Sequence, residues 1–230
     1  MVAHVVKSED EKINAPYLKL YTAATGNGYK ALILLELLGI DYYVKTINFK
    51  TKEQKEPWFL ELNPNGKIPT LSEVDNSGKR TNIAESIAIL LYIADKYDKD
   101  HKFSYAHGTP LYYEQLEWLL FQASGIAPAK GQLNFFSGAA APQKIDFAIE
   151  RYHDEVVRQF GVLEEQLKKN GTGFLVGDHI SLADIATYPY VIFDYPPKFD
   201  EELKQFPLLS AWAKKIGSLP EVIKAKQVPK

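Results

Sequence analysis

The chain has 230 residues, of which 46% are hydrophobic and 13% aromatic, and its net charge is −2. This composition suits one large core or two smaller ones, and without a basic excess nucleic acid is not an expected partner. Because the sequence contains no Cys, it has no disulfide framework, no thiolate metal ligand and no redox motif of its own. Any sulfur chemistry must therefore use the sulfur of a ligand.

The first stretch of sequence, MVAHVVKSEDEKINAP, predicts a loose N-terminal extension over residues 1–16. His4 interrupts a short apolar run, and charged residues follow it. The pattern fits neither a signal peptide nor a membrane span. We therefore expect a cytoplasmic protein that does not cross or bind a membrane.

Residues 17–98 alternate between strand and helix patterns. The predicted elements are a strand at 18–22, a helix at 28–38 that ends at Gly39, a strand at 42–49, a short helix at 57–62, a hairpin of strands 70–74 and 79–82, and a helix at 85–97. Ile87, Leu90, Leu91 and Ala94 are expected on the inner face of the last helix. The order βαβαββα indicates an α/β domain of the thioredoxin type.

Residues 109–227 lack strand patterns and predict a separate all-helical domain. Its predicted helices cover residues 111–124, 143–169, 181–193 and 207–219. Ser181 and Asp184 form an S-x-x-D capping box, in which each side chain is expected to accept a hydrogen bond from the backbone N–H of the other residue. Pro189 is expected to kink or end the helix that follows.

Three motifs, in this order, resemble the cytosolic glutathione transferases: Ile68-Pro69 before a strand, Glu85-Ser86 at the start of a helix, and the S-x-x-D box. The closer similarity is to the nu-class transferases of bacteria and to related fungal transferases, a group that includes a yeast nitrogen regulator. The stretches that carry it are YTAATGNGYK, NPNGKIPTL, AESIAILLYIADKY, FQASGIAPAKGQ, APQKIDFAIERY and LVGDHISLADIA. The resemblance spans residues 18–220 and implies glutathione as co-substrate.

A glutathione enzyme must stabilise the thiolate, because a free thiol with a pKa of about 8.5 is mostly protonated at neutral pH. The resemblance places the donor in the loop after the first strand. Asn27, whose amide lies where a helix N-terminus favours an anion, is the first candidate, and the Thr25 hydroxyl is the second. By residue type alone, Asn27 also fits a helix cap.

Two neighbouring positions correspond to the catalytic residues of other classes. Ala24 falls near the position of the serine in serine-using classes, and its methyl group cannot donate a hydrogen bond. Tyr21 resembles the tyrosine of other classes in lying at a strand end, although it also fits an ordinary strand aromatic.

The resemblance also assigns residues that bind the tripeptide. The Ile68 backbone would pair with the cysteinyl unit, the Glu85 carboxylate would face the γ-glutamyl ammonium, and the Ser86 hydroxyl with its helix N-terminus would take the γ-glutamyl carboxylate. The residues expected at the glycine end, or reaching the ligand from the helical domain, are Gln54, Lys67 and Arg151. Each of these three also fits a solvated surface position.

The predicted function is that of a glutathione transferase and thiol–disulfide oxidoreductase, which uses bound glutathione thiolate against electrophiles, disulfides or hydroperoxides. A catalytically weak regulatory or binding protein, and a lyase or isomerase on the same fold, remain alternatives. No metal is expected, because the five His show no ligand spacing. The resemblance implies a homodimer, for which Tyr105, Tyr112 and Tyr113 offer aromatic surface.

Overall fold

The computed structural model describes residues 3–5, 13–138, 142–192 and 199–228. The chain forms two compact units, one made of Met1–Lys99 with Leu219–Lys230 and the other of Asp100–Ser218. The first unit combines a mixed sheet with helices, and the described part of the second is helical. The predicted fold class, a thioredoxin-like domain followed by a helical domain, is confirmed.

The first unit contains a five-stranded sheet in the order β1-β3-β2-β4-β5. β2 runs parallel to β3 and antiparallel to β4, which pairs antiparallel with β5. The strands are β1 (Ala3–Val5), β2 (Tyr17–Thr22), β3 (Tyr42–Thr46), β4 (Thr70–Val74) and β5 (Arg80–Ala84), and the first helices are α1 (Gly26–Leu38), α2 (Pro57–Leu62) and α3 (Ser86–Tyr97).

The largest differences from the sequence prediction are in two strands, whereas β2 and β5 differ from their predicted bounds by one or two residues. Ala3–Val5, expected to be loose, pairs in parallel with the edge of β3, because the short apolar run around His4 is long enough for one edge strand. β3 ends at Thr46 rather than at residue 49, since the Asn48 side chain accepts from Lys50 N at 3.0 Å and starts a 3₁₀ turn at Phe49.

The core of the first unit lies around α1, in which residues 28–36 are all buried. Gly39 adopts the left-handed conformation and ends the helix, as predicted. In α3 the buried apolar residues are Ile89, Leu90, Ile93 and Ala94, whereas the predicted Ile87 and Leu91 are only partly buried. The run IAILLYIA contains two overlapping helical stripes, so its pattern alone does not decide between them.

The second unit consists of α4 (Pro110–Phe121), a π-helical turn at Gln122–Ile126, α5 (Ala127–Ser137), α6 (Asp146–Asn170), α7 (Leu182–Ile192) and α8 (Pro207–Gly217). α5 was not predicted, because Pro128 and Gly131 weaken its pattern. Pro128 lies in the first turn, where a helix tolerates proline. Pro189 lies inside α7 and does not end it, and residue 193 of the predicted helix lies outside the described residues.

The capping box at α7 forms in part. The Asp184 carboxylate accepts from Ser181 N at 2.9 Å, as predicted, but the Ser181 hydroxyl donates to the same carboxylate instead of accepting from a backbone N–H. Asp184 also accepts from Leu175 N at 2.9 Å and from Trp212 Nε1 at 2.8 Å. A fully buried carboxylate thereby gathers donors from three segments of the second unit.

The last helix, α9 (Pro220–Ala225), groups with the first unit, although it lies inside the range expected for the helical domain. Val222 and Ala225 of α9 are buried, and a polar contact links α9 to α1, in which the buried Glu36 accepts from Lys224 Nζ at 2.5 Å and from the Tyr42 hydroxyl at 2.8 Å. Among the described helices, none combines the length and apolar content needed to cross a bilayer.

The turn between β2 and α1 is packed too tightly for a side chain at Gly28. A Cβ there would lie 2.1 Å from Ala23 O and 2.6 Å from Thr22 Oγ1. Gly28→Ala should therefore lower the free energy of unfolding by about 1–3 kcal/mol, as overpacking does, because the closest atom belongs to the backbone. Urea denaturation measures the change.

The matched control is Gly131→Ala in α5, where a Cβ would meet nothing within 4 Å. Replacing this helical glycine should raise stability by up to about 1 kcal/mol. If the two variants were equally stable, the close packing at Gly28 would not constrain the turn.

Candidate functional site

A cavity of about 150 Å³ lies in the first unit, where the β2–α1 turn, the loop before β4 and the start of α3 meet. The residues that line it are Asn27, Asn63, Asn65, Lys67, Ile68, Pro69, Glu85 and Ser86. Asn27 and Ser86 lie in the first turns of α1 and α3. Two helix N-termini therefore face one cavity, an arrangement that favours bound anions.

Thr25 is the N-cap of α1. Its hydroxyl oxygen accepts from Gly28 N at 3.0 Å, and its own N–H donates to Ala23 O at 2.7 Å. Because the cap uses Thr25 as an acceptor, the hydroxyl proton remains able to donate. The cap function that Asn27 also fitted by residue type belongs to Thr25.

Asn27 lies two residues after the cap, and its side chain contacts α3. Its Oδ1 accepts from Ser86 Oγ at 3.3 Å. This contact engages the carbonyl end of the amide, so the N–H₂ end is the part of Asn27 suited to a bound anion.

Lys30 lies behind Ser86 and was not selected from the sequence. It is fully buried, and its Nζ donates to Ser86 Oγ at 3.1 Å. Burial lowers the pKa of Lys30 to about 7, against the opposing effect of the Glu85 charge. The signal in the sequence that could have identified Lys30 is a charged residue directly before the apolar run ALILL in the predicted helix.

Glu85 precedes α3 with φ 69° and ψ 121°. For a residue other than glycine, positive φ costs on the order of 1–3 kcal/mol and clusters at ligand sites. The exposed side chain of Glu85 nevertheless lines the cavity beside Ser86. This geometry keeps a carboxylate at the cavity wall.

The loop before β4 is held by Asn63, which sequence reasoning missed. Its Nδ2 donates to Lys67 O at 2.8 Å and to Thr70 Oγ1 at 3.1 Å, and its Oδ1 accepts from Asn65 N. The signal in the sequence that could have identified Asn63 is the polar stretch NPNGK, residues 63–67, just before Ile68-Pro69. The Ile68-Pro69 peptide bond is cis, as the resemblance implied.

Gln54 lies beside this loop without lining the cavity. A Cβ at Gly66 would come within 2.8 Å of Gln54 O. The Gln54 side-chain Oε1 is buried and, among the described residues, has no hydrogen-bond partner. An unpaired buried acceptor next to the loop is consistent with a ligand donor that the protein alone does not supply.

The remaining candidates are not among the residues that line the cavity. Tyr21 is fully buried against Ile47 and Phe59, in the position of a core aromatic, and Ala24 is exposed. Arg151 is an exposed residue of α6 in the second unit and lines a groove on that helix between Phe147 and Arg158. The described residues contain no group of three or more His, Cys, Asp or Glu suited to a metal.

Two family models match the chain. "Glutathione S-transferase, N-terminal domain" matches residues 16–95, and "Glutathione S-transferase, C-terminal domain" matches residues 132–225. The first range contains the cavity residues. The second range contains the second unit from within α5 to α8, together with α9 of the first unit.

Individual proteins resemble the chain over most of its length. Glutathione S-transferase 1 of Schizosaccharomyces pombe is 36% identical over 215 residues, covering 87% of this chain and 91% of that protein. Disulfide-bond oxidoreductase YfcG of Escherichia coli is 36% identical over 207 residues, covering 88% and 91%. A glutathione transferase homolog from Lodderomyces elongisporus, crystallised with two GSH per subunit, has a TM-score of 0.88 at 42% identity, covering 93% and 99%. The chain therefore belongs to the glutathione S-transferase family.

Proposed function

We propose that the protein is a glutathione transferase and glutathione-dependent thiol–disulfide oxidoreductase, in which bound glutathione supplies the reacting sulfur. The observation that carries this proposal is the cavity between two helix N-termini, lined by the Asn27 amide, in a chain without Cys. Helix N-termini and side-chain N–H groups stabilise a thiolate and carboxylates, which are the anionic groups of ionised glutathione.

The γ-glutamyl end of glutathione would bind at the start of α3. The Glu85 carboxylate lines the cavity and would pair with the ligand's ammonium. The Ser86 hydroxyl already donates to Asn27, so the backbone N–H groups at the α3 N-terminus are better placed than this hydroxyl to take the γ-glutamyl carboxylate.

The rest of the tripeptide would lie along the loop before β4. The Ile68 backbone would pair with the cysteinyl unit, since Ile68 lines the cavity and precedes β4 outside its pairing with β2. Lys67 lines the cavity and would pair with the glycine carboxylate. The unpaired amide oxygen of Gln54 would accept a hydrogen bond from the glycyl N–H.

The thiolate would lie near Asn27 and Thr25, whose N–H₂ and O–H groups donate to it. In conjugation, the sulfur forms a bond to an electrophilic carbon and the leaving group departs with its electron pair. In disulfide reduction, the thiolate forms a bond to one substrate sulfur and the S–S bond breaks. The released thiolate takes a proton. A second glutathione thiolate then attacks the glutathione sulfur of the mixed disulfide, which gives oxidised glutathione and releases the rest of the substrate as a thiolate that is protonated in turn.

Hydroperoxides would react by the same two-step scheme. The thiolate attacks the terminal peroxide oxygen, the O–O bond breaks, and the departing alkoxide takes a proton from solvent to become an alcohol. A second glutathione converts the resulting sulfenic acid to oxidised glutathione and water. The disulfide-bond oxidoreductase relative and the structural neighbour with two GSH per subunit support a site that uses two glutathione molecules.

A cytoplasmic homodimer completes the proposal, since the cytosol keeps glutathione reduced and most soluble oligomers are symmetric. Tyr113 is 60% exposed and suits an interface. Tyr105 does not, because it is buried and its hydroxyl donates to Val176 O at 2.9 Å.

Removing the Asn27 amide tests the thiolate site. Asn27→Ala should raise the pKa of the bound glutathione thiol and slow turnover by about ten- to a thousandfold, the scale of losing one donor to a developing charge. Titration of thiolate absorbance near about 240 nm under saturating glutathione measures the pKa.

Asn27→Asp is the matched variant, because it keeps the size of the side chain and suits a first helical turn. It should leave the protein as stable as wild type but raise the thiol pKa, since a carboxylate only accepts hydrogen bonds. An unshifted titration in both variants would transfer the donor role to Thr25, with Thr25→Ala as the companion measurement.

The relative rates of disulfide reduction and conjugation test the proposed reaction type. With glutathione present, the protein should reduce 2-hydroxyethyl disulfide or a hydroperoxide at least as fast as it conjugates chlorodinitrobenzene. Good conjugation without reduction of either substrate would contradict the oxidoreductase assignment. Retention on glutathione resin without any turnover would instead favour a regulatory binding protein.

A further inference from the structure

Lys30 belongs to a directed chain of hydrogen bonds that ends at the candidate thiolate donor. Its Nζ donates to Ser86 Oγ at 3.1 Å, and Ser86 Oγ donates to Asn27 Oδ1 at 3.3 Å. Asn27 and Ser86 line the cavity, whereas Lys30 is fully buried behind them. The three side chains connect the interior of α1 with the cavity wall.

The direction of this chain follows from the groups involved. While Lys30 is protonated, its ammonium group can only donate, so Ser86 Oγ accepts from it and the single hydroxyl proton is directed to Asn27 Oδ1. The Asn27 carbonyl is thereby engaged, and the amide presents its N–H₂ end to other partners. Hydrogen bonds in series polarise one another, which makes the terminal N–H₂ a stronger donor.

We propose that Lys30 is a positioning residue for the bound thiolate, which acts through Ser86 to fix the orientation of the Asn27 amide and to strengthen its N–H donors. The inference rests on the proposed function and adds a residue to it. Two side chains, Ser86 and Asn27, separate Lys30 from the proposed position of the sulfur.

The location of Lys30 supports a functional reason for its charge. The five residues that follow it, Ala31 to Leu35, are completely buried and apolar. Placing an ammonium in such an environment costs free energy relative to an apolar residue of similar shape. Burial lowers the pKa of Lys30, which is the direction expected for an ammonium group removed from water.

The experiment compares Lys30→Met with Lys30→Arg, both under saturating glutathione. Lys30→Met keeps the length of the side chain but removes the charge and the donor. The pKa of the bound thiol should rise by about one unit. At a pH below the wild-type pKa of the bound thiol, this corresponds to about tenfold less thiolate and about tenfold lower turnover. Lys30→Arg retains a donor and a charge and should recover most of the loss.

Two controls separate positioning from general damage. S-hexylglutathione has no thiol to ionise, so its dissociation constant should change less than about threefold in Lys30→Met, well below the tenfold effect on the thiolate. Lys19→Met removes another buried lysine of the same unit and should leave the thiol pKa unchanged.

A double variant tests whether Lys30 acts through Ser86. Ser86→Ala breaks the chain in the middle, so Lys30→Met should add little to the thiol pKa change that Ser86→Ala already causes. Ser86→Ala also keeps the test decisive if Lys30→Met does not fold, since an unshifted thiol pKa in that variant would overturn the proposal.

Three further results would bear on the role of Lys30. If the bound thiol in folded Lys30→Met had the same pKa as in the wild-type protein, Lys30 would not position the thiolate donor. A loss of S-hexylglutathione affinity as large as the loss of turnover would show that Lys30 supports the fold or the binding of the γ-glutamyl end. A wild-type protein that binds glutathione without lowering its thiol pKa would overturn both this inference and the proposed thiolate chemistry. If the wild-type protein lowers the thiol pKa but the Lys30 variants do not change it, only the role of Lys30 is overturned and the proposed function is unaffected.

Discussion

Close packing around Gly28 determines the geometry of the β2–α1 turn, on which the candidate site depends. Ala23 O, Thr22 Oγ1 and Thr25 Oγ1 converge where a Cβ would otherwise lie. Thr25 can therefore cap α1 through Gly28 N, while Thr22 Oγ1 donates to Gly28 O at 3.1 Å. These contacts fix the first helical turn, and with it the place at which the Asn27 side chain reaches the cavity.

The site combines several weak sources of positive potential without any metal ligand cluster in the described residues. The N-termini of α1 and α3 supply backbone N–H groups, and Asn27 supplies a side-chain amide. Lys30 adds a buried donor behind them. Glu85 contributes the opposite charge, which suits a ligand that carries an ammonium group as well as carboxylates.

Much of the fold could be predicted from the sequence, because hydrophobic periodicity and turn residues agree along residues 17–98. Periodicity failed where local chemistry overrode it, as in α5, which tolerates Pro128 in its first turn. Hydrophobic periodicity also does not predict contacts between residues that are distant in the sequence. The Glu36–Lys224 contact joins residues far apart in the chain and brings α9 to the first unit.

The residues of the candidate site that belong to local motifs were predictable from the sequence. Asn27, Lys67, Ile68, Glu85 and Ser86 were selected through their motifs, and the structure brings them to one cavity. Asn63 and Lys30 were missed, since their importance comes from hydrogen bonds across the fold rather than from local pattern. Assigning the helix cap to Thr25 instead of Asn27 likewise needed the geometry of the turn.

The central claim is that this cavity binds glutathione and ionises its thiol. Its most direct test is an NMR pH titration of glutathione labelled with ¹³C at the cysteinyl Cβ, bound to the wild-type protein. The account predicts a midpoint well below the free-thiol value of about 8.5. A midpoint at the free value, or no bound signal at all, would contradict it.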